Sequence, residues 1–397
     1  MKKGDTIAGY RIVTDPTNAN GGKCIWAFAE RDGHQYFIKQ FLEPKRPKDD
    51  AADSKSVRIR REVAREFEDR HRTIMKRLRA DRLDGGNIVL ARDFFYEGST
   101  YYKVTERIDT SSLDRPQALE PNQKAVLLKT LGASVKMLHE FGIVHGDLKP
   151  LNVLIQKREG AAFHVAKLID FDDSYESGAP PKPEDISGDS AYGAPEWRRY
   201  LQEDGGTGPK DLTCAVDIFA LGLMTHLYVT GELPSHDARF GSPSDAVNAG
   251  EELRLDPRLS DELLGLIRRM TAADPRARPG IGVFLETLAD SGVCTLQHRR
   301  PGTTAPRATA PGGATAPGAT KPPAPRPAPG AAPAPKVSRV RFGTRKERPA
   351  PTPPPAETPP PPAPEPAPAP PSTPAPAPGV SRVRINLGGR GGDRRTP

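Results

Sequence analysis

An α+β protein of two lobes is what the sequence predicts: a small β-rich lobe over residues 1–108, a larger α-helical lobe over 109–290, and a disordered, basic tail over 291–397 rich in Pro, Ala and Gly. Three observations lead there. Short β-rich runs broken by Gly and Asn fill the start of the chain. Helical periodicity dominates from Pro121 onward. Of the 45 prolines, 29 lie beyond residue 300, where too few apolar side chains remain to offset the entropy of ordering the backbone.

The elements follow in order. Tyr10 to Gln40 reads as short strands, with Tyr36-Phe37-Ile38-Lys39-Gln40-Phe41 the clearest. Residues 55–80 turn to a charged helical pattern whose Phe67, Ile74, Met75 and Leu78 share a face, as expected of one amphipathic helix laid over a small sheet. Ile88–Phe95 and Tyr101–Ile108 predict two further strands joined by the turn Glu97-Gly98-Ser99. A helix from Pro121 to Phe141 repeats Leu127, Leu131, Val135 and Leu138, with Pro121 suited to its first turn and Gly142 to its end. Thr213–Thr230 is apolar nearly all round and predicts a buried helix stopped by Gly231. Ser260 is the expected N-cap of a helix carrying Leu263, Leu264, Ile267 and Met270.

Charge divides where composition does. Residues 291–397 hold 16 Lys/Arg against 4 Asp/Glu, a net +12, and the first 290 hold 42 against 46. Attraction to acidic partners therefore belongs to the tail. Cys24, Cys214 and Cys294 are odd in number and widely spaced, which argues against a disulfide framework and against a zinc site. No apolar run approaches the ~18 residues that span a bilayer, and the N-terminus lacks a signal core, so a cytoplasmic protein without membrane contact is expected.

Phosphoryl transfer demands oxygen ligands for a divalent metal, a carboxylate at the acceptor hydroxyl, and cations on the phosphates. His145-Gly146-Asp147-Leu148-Lys149-Pro150-Leu151-Asn152 offers these side chains within eight residues, and Asp170 follows in Leu168-Ile169-Asp170-Phe171-Asp172. With these motifs the chain resembles the eukaryotic-type Ser/Thr protein kinase family over about residues 7–288. The resemblance implies a bilobal protein-kinase-like fold, ATP and Mg²⁺ as cofactors with Mn²⁺ as an alternative metal, and protein substrates. It implies that Asp147 accepts the proton of the substrate hydroxyl, that Asn152 and Asp170 ligate the metal, and that Lys149 contacts the transferred phosphate as in serine/threonine enzymes. Lys39 matches the lysine on the α- and β-phosphates. Thr105 falls at the gatekeeper position, with Glu106 to Ile108 as the hinge whose backbone binds adenine. Glu196 of Ala194-Pro195-Glu196 and Arg278 of the segment Asp274 to Pro279 would form a structural ion pair, and Asp217 opens the central buried helix.

Departures from the family pattern are as informative. In place of spaced glycines the chain has Asn20-Gly21-Gly22-Lys23, where Gly21 and Gly22 can bring backbone N–H groups to phosphate oxygens or simply form a hairpin turn. Gly146 replaces the arginine that receives an activation-loop phosphate, so constitutive or partner-driven activity is expected. Asp172 stands where the family has glycine, with Asp173 next to it. They are expected to stiffen this loop or simply to face solvent. Glu68, with Glu66 and Glu62 competing, is the glutamate expected to pair with Lys39. The segment 178–185 reads as a surface loop.

Two copies of one motif interrupt the tail, Val337-Ser338-Arg339-Val340-Arg341-Phe342 and Val380-Ser381-Arg382-Val383-Arg384-Ile385. Alternation places Val340 and Phe342 opposite Arg341 on an extended strand, and the second copy repeats this with Val383, Arg384 and Ile385, a form suited to adding to a partner's sheet edge. Polyproline spacers at ~3.1 Å per residue give the first copy a reach of roughly 140 Å. A docking partner is expected there and nucleic acid is not, because Phe342 is the lone aromatic available for stacking. The Ala/Pro-rich tail and compact body suggest a bacterial enzyme acting opposite a cognate phosphatase. Two rivals remain. His-Gly-Asp with Asn five residues on also resembles aminoglycoside and choline-type kinases, and the altered glycine loop with Asp172 fits a pseudokinase scaffold.

Overall fold

The computed structural model describes residues 1–298 apart from 20–21, 79–86, 111–112, 114, 158–159 and 161. Gly21 and the tail residues Val340, Arg341, Phe342, Val383, Arg384 and Ile385 lie outside the described residues.

The first lobe is a six-stranded antiparallel sheet in the order β1-β2-β3-β4-β6-β5, built from β1 (Thr6–Ile7), β2 (Tyr10–Ile12), β3 (Cys24–Arg31), β4 (His34–Phe41), β5 (Ala91–Glu97) and β6 (Thr100–Glu106). Asp32 and Gly33, both at positive φ (52° and 76°), turn β3 into β4. Two left-handed residues in succession match the strand twist, which is why an Asp-Gly pair sits there. The register pairs Lys39 directly with Lys103, so the two lysines lie side by side across β4 and β6. Helix α1 (Lys55–Arg77) starts at Ser54, whose Oγ accepts a hydrogen bond from the Val57 N–H. Its Ala64, Phe67 and Met75 pack on Cys24, Phe41, Phe94 and Tyr101 of the sheet. His71 belongs to the same buried face, edge-on to Phe67 and stacked on Phe94.

The second lobe is helical. Helix α2 (Pro121–Glu140) lines the core with Leu127, Leu128, Leu131, Val135 and Leu138, each at most 1% exposed. Burying each such side chain contributes about 2 kcal/mol relative to exposure. Gly132 lets α2 meet α7 (Ile281–Thr287) closely, since a Cβ there would stand 2.7 Å from the Phe284 ring. Helix α4 (Ala215–Thr230) is buried all round, as its sequence predicts, and ends on Gly231 at φ 96°. Helix α6 (Asp261–Met270) is capped by Ser260, whose Oγ accepts from the Leu263 N–H. Two short antiparallel pairs complete the floor of the cleft: β7 (Ile143–Val144) with β10 (Tyr175–Glu176), and β8 (Val153–Gln156) with β9 (Val165–Leu168). Helices α3 (Pro195–Leu201) and α5 (Pro243–Asn248) contact each other and pack with α4 in one apolar cluster.

The folded body runs past the boundary expected at residue 290. Val293 and Cys294, in a single turn over 291–294, are buried against the core of the helical lobe, and the Gln297 N–H donates to the Arg258 carbonyl. Three apolar side chains, Val293, Cys294 and Leu296, are too short a run to stand out in sequence, yet they close the bottom of α2.

Candidate active site

A cleft of about 1210 Å³ runs between the sheet and the helical lobe and is lined by Lys39, Asp147, Lys149, Asn152 and Asp170, with Gly22 at one rim. Thr105, Glu106 and Ile108 line it where β6 leaves the sheet. The residues singled out from five separate stretches of sequence thus share one cavity.

The floor is a loop held by its backbone. Asp217, fully buried at the start of α4, accepts the His145 N–H at 2.8 Å and the Gly146 N–H at 3.1 Å, and His139 adds a contact at 3.0 Å. Burial would raise its carboxyl group, but His139, His145 and the backbone hydrogen bond hold it below the ordinary carboxylate value. The Asp147 N–H donates to His145 Nδ1, so the ring proton sits on Nε2 and is given to the Ile169 carbonyl at 3.0 Å. This ties the loop carrying Asp147 to the strand end carrying Asp170. Asn152 Nδ2 donates to the Asp147 carbonyl (2.7 Å) and to Asp147 Oδ2 (2.9 Å), and Lys149 Nζ reaches the same Oδ2 at 2.8 Å. Burial would lower the Lys149 ammonium group, but Asp147 holds it above the usual lysine range.

Gly146 is glycine for a steric reason. It sits at φ 82°, and a Cβ there would stand 2.6 Å from the Asp173 carbonyl oxygen. An arginine has no room at this position. Asp170 is also left-handed, at φ 66°, a strained backbone for a residue with a side chain.

The wall above holds two lysines. Lys39 Nζ lies 2.5 Å from Asp170 Oδ2 and 3.0 Å from Asp172 Oδ2, and Lys103 Nζ lies 2.7 Å from Asp172 Oδ1. The side chains of Lys39, Asp172 and Lys103 are 13%, 14% and 8% exposed, so water screens these contacts little. Burial alone would depress Lys39, but Asp172 and Asp170 outweigh it and hold it above the ordinary lysine range. Burial pushes Asp172 up, yet Lys103 and Lys39 bring it well below the ordinary carboxylate range. Asp170 is raised, first by burial and then by the charge of Asp172. Asp173 is pushed up to about 6 by burial and by Asp172, Asp147 and Asp170.

One expected pair is corrected. Glu68 does not reach Lys39: its Oε1 takes Arg46 at 2.8 Å and the Tyr101 hydroxyl at 2.6 Å. Helix α1 turns Glu68 toward these donors, and the side chain it directs toward the lysines is His71, 2% exposed. Burial and the Lys103 charge hold that imidazole well below its ordinary value. The reading that Asp172 simply faces solvent is likewise set aside. Sequence reasoning missed Lys103 and His71. A lysine inside the β-rich run Tyr-Tyr-Lys-Val was the available signal for Lys103.

Behind the floor, Arg278 meets Glu196 in a two-pronged pair, 2.7 Å on each arm, with both side chains fully buried. The segment 172–193 packs on α3, with Ile186 buried beside Trp197 and Tyr200, and the Tyr200 hydroxyl donates to the Pro181 carbonyl.

The protein kinase domain family matches residues 20–288, which contain every element of this site. The chain belongs to the protein kinase family. Within that family it is 31% identical to the serine/threonine-protein kinase PkaA of Streptomyces coelicolor over 208 residues, half of this chain and 35% of PkaA. It is 27% identical to the serine/threonine-protein kinase ULK3 of Xenopus laevis over 229 residues, 56% of this chain and 46% of ULK3. Protein kinase kin1 of Schizosaccharomyces pombe matches at 28% over 192 residues, 47% of this chain and 20% of kin1. The chain therefore spans between a fifth and about half the length of these kinases. Among its described residues no helix is long and apolar enough to cross a membrane.

Proposed function

We propose that the protein is an ATP-dependent serine/threonine protein kinase. The observation that carries this reading is Asp147, whose Oδ2 is bracketed by Lys149 and Asn152 and whose Oδ1 is buried with no partner in the protein. An acceptor atom held in place and left unsatisfied suits a base waiting for a hydroxyl donor. Asp170 Oδ1 is buried and unsatisfied as well, which fits a carboxylate reserved for a divalent cation. Asn152 and Asp170 would hold that cation, Mg²⁺ or Mn²⁺, and its chemistry is to neutralise charge on the phosphates.

On this reading Asp147 orients the substrate hydroxyl and takes its proton, and Lys149 neutralises the phosphoryl group in transit. Lys39 holds the inner phosphates, and the backbone from Glu106 to Ile108 binds adenine. A lysine two residues after the base favours serine and threonine over tyrosine. With Gly146 in place of an arginine, activity is expected without a loop phosphate. We place the enzyme in the cytoplasm of a bacterium, opposite a cognate phosphatase, and assign the repeated Val-Ser-Arg-Val-Arg segments of the tail to a docking partner. Equal recovery of partners by the tail and by a tail with both segments scrambled would remove that assignment.

The test of the whole reading is transfer from labelled ATP, with Mg²⁺ or Mn²⁺, to protein substrates and to the enzyme itself. Label on serine or threonine that Asp147→Ala and Asp170→Ala both abolish is the expected result. Label on a small molecule alone would replace this reading with the small-molecule phosphotransferase.

A further inference from the structure

We propose that Asp172 is the positioning residue for Lys39: the carboxylate that seats the phosphate-binding lysine comes from the loop after Asp170 and not from helix α1, with Lys103 as its second anchor. The proposal deepens the kinase reading and rests on it.

Protein kinases ordinarily seat this lysine against a glutamate of the helix packed on the sheet, which makes activity depend on where that helix stands. Here no α1 carboxylate among the described residues pairs with Lys39. Glu68 is engaged by Arg46 and Tyr101, and the helix presents His71 instead, an imidazole with Nε2 unpartnered and three aromatic rings around it. A neutral ring among Phe41, Phe67 and Phe94 can fill the space of a glutamate and cannot replace its charge.

The charge arrives from below. Asp172 spans the two lysines, Oδ2 to Lys39 and Oδ1 to Lys103. Lys39 and Lys103 are direct partners in the β4–β6 register, and two like charges opposite each other repel unless something lies between them. One carboxylate shared by both resolves the repulsion and fixes the direction of each side chain. Asp170 also touches Lys39, but on the kinase reading it would be shared with the divalent cation, whereas both oxygens of Asp172 are already committed to ammonium groups. Three departures therefore belong together: a carboxylate in place of the loop glycine, a lysine in the middle of β6, and a histidine on the buried face of α1. The consequence is a kinase whose lysine is seated whenever the loop 170–173 is in place, with the position of α1 no longer deciding it.

The full-length protein supplies the test, with one readout that needs neither ATP nor metal. In the unliganded protein, Asp172→Asn leaves two buried lysines short of charge, so the melting temperature is expected to fall by several degrees. Adding Lys103→Met is expected to recover at least half of that fall. In this refolded background, kcat/KM for ATP is expected to be roughly 100-fold below wild type, the scale of a misplaced reacting group. Adding His71→Glu supplies a carboxylate from the helix and should return at least tenfold of it, while Glu68→Gln alone changes nothing beyond twofold. Strictly additive losses in melting temperature, a double variant within threefold of wild-type kcat/KM, or no gain from His71→Glu would each overturn the proposal. If wild type transfers no phosphoryl group, the kinase reading falls and the melting-temperature series still decides whether Asp172 holds the lysines.

Discussion

The helical lobe buries one cation against one carboxylate, Arg278 against Glu196, while the cleft buries two lysines against carboxylates of a single loop. In the first, both carboxylate oxygens take a guanidinium nitrogen, and two further guanidinium N–H groups go to the carbonyls of Ala272 and Ala215. In the second, Asp170 Oδ1 and Asp147 Oδ1 are buried without a partner. In the Arg278–Glu196 pair every side-chain nitrogen and oxygen has a partner within the protein. The cleft keeps two carboxylate oxygens open, and on the kinase reading these are the acceptors that the substrate hydroxyl and the cation would fill.

That contrast is broken most sharply at its two extremes. Asp147→Asn should lower kcat by about 10³-fold, the scale of a lost general base, with little change in melting temperature. Steady-state rates alongside thermal melts would check it, and a variant that loses both together would place Asp147 with the structural pair. Arg278→Met should do the reverse to the fold: it strands Glu196 in the core and should destabilise the protein by about 3–5 kcal/mol in chemical denaturation. Gly146→Ala comes next, at about 2 kcal/mol or more, because a left-handed backbone and the Asp173 carbonyl both resist a Cβ.

A smaller effect separates titrating groups inside and outside the cleft. Burial holds His71 and His226 below their ordinary pKa values, so their folded forms refuse a proton that the unfolded chain accepts near pH 6.5. The unfolded state then binds more protons, and stability is full above that pH and falls as pH drops through it. The loss is about 1.4 kcal/mol per pH unit for each histidine while its folded ring stays neutral. Denaturation between pH 7.5 and 5.5 should show this slope, and His71→Phe should flatten it by about one proton; an unchanged slope in that variant counts against His71. The smallest expected effect is that of Glu68→Gln, about 1 kcal/mol of stability from weakened contacts with Arg46 and Tyr101.

What could be read in the sequence was what is local. The stretch His145–Asn152 carries Asp147, Lys149 and Asn152 on one loop, so side chains that meet in space also stand close in sequence. Ser260 and Gly231 declare the ends of α6 and α4 through the chemistry of caps. Glu196 and Arg278 came from the order of motifs, and the structure brings them together. The seat of Lys39 was not legible because three distant choices set it: the β4–β6 register that puts Lys103 beside Lys39, the rotation of α1 that turns Glu68 toward Arg46 and Tyr101, and the path of the loop that lifts Asp172 between them. None of these is a property of a short segment. Glu68 looked right because a glutamate near the correct turn of a helix is a good guess in one dimension; the rotation of α1 decided otherwise.

The packing of Gly146 against the Asp173 carbonyl limits what a single substitution can add to this loop. An arginine cannot be seated at position 146 by one substitution alone, because the side chain would first need the neighbouring backbone to move aside. A cation for an activation-segment phosphate would therefore have to come from another position of the fold, or together with a displaced Asp173 backbone.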